Sequence, residues 1–213
     1  MNYRAITVAR ELGSGGAAVA KRLAQQLGWK LLDRELIEEI ACAALVDPAE
    51  VIRYDECIES LLTRINKTAV RASTALAIGV VARDAFDNKR VTELTRQIVE
   101  HAYDTCKCVI VGRGAQCILQ SKPQAFHVFV YAPLEDRIRR LRERLAPNVD
   151  IERRIRAVEA GRAHYLKQHF GADWRDPHLY NLMVSSHDGD EAAVRAILHA
   201  MGAGSVAAPA CTN

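Results

Sequence analysis

Near its start the chain runs from an unbroken apolar segment, Ala5-Ile6-Thr7-Val8-Ala9, through the turn Gly13-Ser14-Gly15-Gly16 into an amphipathic stretch marked by Val19, Leu23 and Leu27. The order reads as buried strand, glycine-rich turn and helix. Glycines let the backbone turn tightly and approach a ligand with no Cβ in the way, and the first N–H groups of the following helix have no intrahelical acceptor. Those donors, at the positive end of the helix dipole, suit a phosphate. A turn that simply starts a helix is the alternative reading of the same four residues. A standard phosphate loop, G-x-x-x-x-G-K-[ST], adds a lysine for the transferred phosphate and a hydroxyl for magnesium. With the last glycine of that pattern set on Gly15, Gly16 falls at the lysine position and Ala17 and Ala18 follow. The cradle is present without its cation or its metal-binding hydroxyl.

Further along, strand-like runs at 5–9, 31–32, 108–111, 126–131 and 182–184 alternate with helical patterns. That alternation predicts an α/β fold, a parallel sheet of about five strands flanked by helices. From about 34 to 105 no strand is evident, and Ile58, Leu61, Leu62 and Ile65 follow the spacing of one helix face. We expect a helical insertion over about 45–90, serving as a lid, as the face of a homodimer, or as extra core helices. The chain reads as a single domain over 1–204 with a flexible tail at 205–213.

The 213 residues suffice for one well-buried core, and 49% apolar with 26% charged residues describes a soluble globular protein. A formal charge of +3 is too small to argue for nucleic acid or a membrane surface. The longest apolar stretch, Ala75 to Ala82, falls short of the ~20 residues of a membrane span. The first strand begins almost at once, so no signal peptide is expected. Six cysteines, at 42, 57, 106, 108, 117 and 211, lack zinc-site spacing and read as reduced thiols of a cytoplasmic protein. The histidines show no nucleophile–base or metal-ligand spacing and read as structural.

Three charged constellations stand at predicted strand ends or on helices. Leu31-Leu32-Asp33-Arg34-Glu35 closes the second run, where ligands bind in open α/β sheets; Asp33 also suits a helix N-cap. Val111-Gly112-Arg113-Gly114 repeats the strand-to-glycine pattern and leaves the Arg113 guanidinium, whose planar fork matches phosphate, either accessible to a ligand or in a surface salt bridge. Arg137, Arg139, Arg140, Arg142, Arg144, Arg153, Arg154 and Arg156 crowd two predicted helices broken at Pro147-Asn148, and Glu159 and Arg162 share a face of the second. These helices, about 137–165, could close as a lid over polyphosphate. Interleaved Glu135, Asp136, Glu143, Asp150 and Glu152 favour the alternative of a solvated face, with two or three arginines turned to the site.

In collinear order these segments resemble the cytidylate kinase-like family, a branch of the P-loop nucleoside monophosphate kinases. The resemblance is carried by Ile6-Thr7-Val8-Ala9-Arg10-Glu11-Leu12-Gly13-Ser14-Gly15-Gly16, Gly28-Trp29-Lys30-Leu31-Leu32-Asp33 and Val109-Ile110-Val111-Gly112-Arg113-Gly114-Ala115. It continues through Val128-Phe129-Val130-Tyr131-Ala132-Pro133-Leu134-Glu135-Asp136-Arg137, Arg162-Ala163-His164-Tyr165, Asp173-Trp174 and Tyr180-Asn181-Leu182. The resemblance implies a P-loop NTPase fold and transfer of the γ-phosphoryl of ATP to CMP or dCMP, with Mg2+ held by the nucleotide phosphates. It implies that Gly13, Ser14, Gly15, Gly16, Ala17 and Ala18 hold the donor, that Asp33, Arg34, Arg113 and Glu159 face the acceptor, and that Arg156 and Arg162 come from the lid. Arg10 or a lid arginine would stand in for the lysine, so Arg10, Arg113, Arg156 and Arg162 would supply the catalytic charge. The chain departs from true cytidylate kinases at Gly16-Ala17-Ala18 and at Gly114, where they carry aspartate. A nucleotide sensor that keeps the cradle without turnover is the alternative; nucleic-acid binding through the arginines is disfavoured by the small net charge.

Overall fold

A computed structural model of the chain describes residues 2–33 and 89–202. The described elements are β1 (Ala5–Arg10), α1 (Gly16–Leu27), β2 (Lys30–Leu32), α2 (Lys89–Thr105), β3 (Cys108–Val111), α3 (Ala115–Ile118), β4 (Ala125–Tyr131), α4 (Leu134–Arg142), α5 (Ile151–Phe170), β5 (Leu182–Ser185) and α6 (Asp190–Ala200). The five strands form one sheet in the order β2-β3-β1-β4-β5. Every pairing is parallel, with Ala5 opposite both Cys108 and Ala125 across the centre. Most of the insertion expected at 45–90, and with it the lid or dimer face, lies outside the described residues, as does the tail at 205–213.

Because β1 is central and covered on both faces, it carries apolar residues in an unbroken run, and its period of two deals them to two cores. Ile6 and Val8, with Val109, Val111, Phe126, Val128 and Val130, meet Val19 and Leu23 of α1 and Val194 and Ile197 of α6. On the other face Ala5, Cys108 and Ile110 meet Ile98 and Val99 of α2 and Ile118 of α3. Phe129 and Ala9 extend that second face against Leu166 of α5 and Trp174. The chain leaving β1 therefore turns to one face while the chain leaving β3 turns to the other. That divergence opens a crevice at the carboxyl ends of β1 and β3, the place where open α/β sheets receive ligands.

Two polar groups inside the sheet are mutually satisfied. His127 Nδ1 lies 2.8 Å from Thr7 Oγ1 across the β1–β4 pair, and burial pushes the imidazole pKa down to about 4. This histidine is a neutral core residue at physiological pH, as its sequence context suggested.

Candidate functional site

The turn after β1 takes its shape from left-handed glycines. Gly13 and Gly15 have φ of +82° and +77°, and Gly15 caps α1 with no side-chain hydrogen bond and no acidic residue in the first helical turn. Each glycine is also closely approached by another element. A Cβ at Gly13 would stand 2.8 Å from the Arg137 carbonyl oxygen, and one at Gly16 only 2.5 Å from Arg10 Cβ. One at Gly15 would stand 2.7 Å from Asp190 Oδ1 and 3.4 Å from Arg140 Nη1. Backbone N–H groups at 15–18 are thus presented at a helix N-terminus whose approach is free of side chains from the loop itself, a cradle that fits phosphate.

Hydrogen bonds fix the loop from below. The Ser14 hydroxyl donates to the Glu11 carbonyl at 3.0 Å. The Ser14 carbonyl accepts from Ser186 Oγ at 2.5 Å, and Ser186 is fully buried in the segment between β5 and α6. Arg140 of α4 grips the same serine, donating from Nη1 to its Oγ at 3.0 Å and from Nη2 to its carbonyl at 2.7 Å.

A second brace joins the loop to α4 and α5. Arg137, 5% exposed, donates from Nε to the Leu12 carbonyl at 2.8 Å, pairs through Nη1 with Glu11 Oε2 at 3.0 Å, and pairs through Nη2 with Glu159 Oε1. Glu159 also accepts from the Leu12 N–H at 3.2 Å, and its other oxygen takes Arg175 at 3.0 Å. One oxygen of Glu159 thus ties α5 to Arg137 and the start of the loop, and the other holds Arg175 beyond the end of α5.

Gly112-Arg113-Gly114, after β3, is the second turn of the crevice. Its three residues have φ of +77°, +57° and +68°, and Arg113 is the sole non-glycine with positive φ among the described residues. Such a conformation in a long side chain costs free energy, and it persists where surroundings over-determine it. Gly112 lies against the Arg10 guanidinium and Gly114 against the Phe170 ring, so neither position has room for a Cβ. Arg113 Nε and Nη2 are buried. Arg162 donates from Nη1 to the Arg10 carbonyl at 2.5 Å.

The structure thus gathers Gly13, Ser14, Gly15, Gly16, Arg10 and Arg162 with the Gly112–Gly114 turn at one end of the sheet. Asp33 follows β2 at the same end, half-buried, and Arg34 lies outside the described residues. Arg156 points elsewhere: its side chain is 70% exposed and pairs with Glu152 at 3.4 Å. Sequence reasoning missed Glu11, Arg175, Ser186 and Asp190 around the loop, and it named Arg137 and Arg140 only within a set of eight arginines of which two or three were expected to face the site. Its one signal was the arginine density of α4, which does not say which arginines turn inward.

A clamp lies just outside the loop. Asp136, 4% exposed, accepts from His187 Nδ1 at 2.6 Å and pairs with Arg139 at 2.7 Å. The hydrogen bond from His187, followed by the charges of Arg139, His187 and Arg140, holds the Asp136 carboxyl below its ordinary 3.8, and burial, second in size only to that hydrogen bond, opposes them. The hydrogen bond to Asp136 and its charge hold the His187 imidazole above 6.5. His187 therefore contributes stability that is complete below its unfolded value and is lost as pH rises through its folded one; Asp136 contributes above 3.8 and loses as pH falls through its own. We expect the His187 ring to titrate by NMR with a midpoint above 6.5 and to return to the ordinary value in Asp136→Asn. A wild-type midpoint at or below 6.5 would show that the clamp is absent in solution.

A parallel sheet in the order β2-β3-β1-β4-β5, with a glycine loop between its central strand and α1, defines the architecture of the P-loop kinases. Residues 5–188 match the cytidylate kinase-like family, and the chain belongs to it. Among solved structures, the chain is similar to an uncharacterized protein from Eubacterium ventriosum ATCC 27560, at 20% identity and a TM-score of 0.66, covering 93% of this chain and 98% of that one. It is also similar to a shikimate kinase from Bacteroides thetaiotaomicron, at 14% identity and a TM-score of 0.50 over 93% of this chain and 98% of that one. A gluconokinase from Sinorhizobium meliloti 1021 gives 14% and 0.50 over 95% and 93%. At these identities the likeness is one of fold. No curated protein matches the chain. Among the described residues no helix is long and apolar enough to cross a membrane.

Proposed function

We propose that the protein transfers the γ-phosphoryl group of ATP to a pyrimidine nucleoside monophosphate, CMP or dCMP. The observation that carries this reading is the pair of left-handed glycine turns, Gly13–Gly16 and Gly112–Gly114, facing one crevice at the carboxyl ends of β1 and β3 in a member of the cytidylate kinase-like family. Bound ATP supplies the transferable phosphoryl, and Mg2+ carried on its phosphates spreads their charge, since Gly16-Ala17-Ala18 offers no hydroxyl to the metal. Residues 13–18 hold the donor phosphates through backbone N–H groups. Asp33, Arg34 and Arg113 bind and orient the acceptor, and Arg10 and Arg162 add positive charge between the two turns. Phosphoryl transfer asks chiefly for alignment and neutralisation, so no covalent nucleophile on the protein is needed. Reduced thiols at Cys106, Cys108 and Cys117 support a cytoplasmic setting.

Arg113 gives the test of the acceptor side. Calorimetric titration with each nucleoside monophosphate is expected to find CMP or dCMP bound most tightly, with at least a tenfold loss in Arg113→Ala. Equal binding of purine and pyrimidine monophosphates would remove the pyrimidine assignment, and unchanged affinity in Arg113→Ala would remove the residue from the acceptor site.

A further inference from the structure

The loop lacks a lysine, and the structure explains why one is not accommodated: the position a lysine Cβ would take at residue 16 is filled by the side chain of Arg10. The charge must come from another element. Four arginines of this region are already committed. Arg137 spends all three guanidinium nitrogens on Leu12, Glu11 and Glu159. Arg139 is held by Asp136, Arg156 by Glu152 and Arg175 by Glu159.

Arg140 differs from all of these. It is half-buried, and its hydrogen bonds go to the hydroxyl and the carbonyl of Ser186, both neutral. Among the described residues no carboxylate lies within 4.0 Å of its nitrogens, although its charge reaches Asp136 one turn earlier on α4. Its Nη1 stands 3.4 Å from the position a Cβ would take at Gly15, at the N-terminus of α1. A guanidinium there faces the positive end of a helix dipole, which is unfavourable until an anion lies between them. Asp190 Oδ1, 2.7 Å from the same Cβ position, offsets part of that charge without pairing with Arg140. The guanidinium is also rigidly set, because the serine that holds it bonds the Ser14 carbonyl of the loop as well. An arginine fixed by neutral partners keeps further N–H donors and its full charge for a ligand.

We infer that Arg140 is the cation of this phosphate loop, binding the donor polyphosphate in place of the lysine missing at position 16. The inference rests on the phosphate-loop reading of residues 13–18 given above. It extends to polyphosphate in general, with or without a nucleoside attached.

The test titrates wild-type protein, Arg140→Gln and Arg140→Lys with ATP and with inorganic tripolyphosphate, and monitors thermal unfolding of each. Arg22→Gln, at an exposed arginine paired with Glu191, serves as the control. We expect Arg140→Gln to weaken both ligands at least tenfold, Arg140→Lys to recover part of the loss, and Arg22→Gln to bind as wild type. Equal binding by Arg140→Gln and wild type would overturn the assignment while leaving the loop reading intact; failure of wild type to bind either ligand would overturn the loop reading itself. A second measurement avoids dependence on the folding of variants: modification of wild-type arginines by phenylglyoxal, mapped by mass spectrometry. Tripolyphosphate is expected to protect Arg140 and leave Arg22 reactive. Modification of Arg140 at the same rate with and without tripolyphosphate would contradict the proposal.

Discussion

Arg137→Met is expected to destabilise the protein by about 3–5 kcal/mol, the cost of leaving buried charges without their partner. The guanidinium is buried and joins three groups: the Leu12 carbonyl, the Glu11 carboxylate and the Glu159 carboxylate. Removing it leaves Glu11 and Glu159 with backbone N–H donors and, as their paired cation, Arg175 at 4.0 Å and 3.0 Å, an arginine that is itself 62% exposed. The brace reaches the loop through Leu12 and through Gly13, which sits against the Arg137 backbone. Loss of stability should therefore be accompanied by loss of nucleotide affinity. Urea unfolding checks the first effect, and a double-mutant cycle with Glu159→Gln checks its origin, because neutralising one buried carboxylate should make Arg137→Met less costly. A cost below about 1 kcal/mol, or strict additivity with Glu159→Gln, would show that the network does not hold the loop.

The second large effect runs against the intuition that restoring a missing lysine restores activity. Gly16→Lys is expected to lower stability by about 1–3 kcal/mol through overpacking and to weaken ATP binding rather than strengthen it. The new Cβ would lie 2.5 Å from Arg10 Cβ, 2.9 Å from Arg10 Cγ and 3.4 Å from Val130 Cβ. Of these, the first is a stem atom anchored to the central strand and cannot swing aside. The shift would pass to Arg10, whose guanidinium lies on Gly112, and so would disturb both turns of the crevice together. Calorimetry with ATP on the purified variant decides the matter: tighter binding than wild type, in folded protein, would mean that position 16 was open to a lysine after all.

Much of the architecture was legible because a parallel sheet covered on both faces writes itself as continuous apolar runs. The five predicted runs became β1 to β5 with bounds shifted by at most a residue, and the glycines flanking them took the left-handed conformations that a tight strand-to-helix turn requires. The helical break at Pro147-Asn148 was legible too, falling between α4 and α5.

The braces of the site were not legible. Arg140 meets Ser186 across 46 positions and Asp136 meets His187 across 51, distances over which no periodicity carries information. On α4 itself Arg137, Arg139, Arg140 and Arg142 look alike in sequence, yet the first is buried against carboxylates, the second rests on Asp136 and the third on Ser186. Glu159 and Arg162 were rightly set on one helix face, but their roles depend on what that face meets. Glu159 meets Arg137, Arg175 and the Leu12 amide, while Arg162 meets the Arg10 carbonyl.

The central claim is that a phosphate loop without its lysine supports phosphoryl transfer. Its most direct test is chromatographic analysis of wild-type protein incubated with magnesium-ATP and CMP. The account predicts that ADP and CDP appear together in equal amounts and that neither forms when CMP is left out. Protein that is folded and binds both nucleotides yet forms no CDP would contradict it, and would assign the same cradle to nucleotide sensing without turnover.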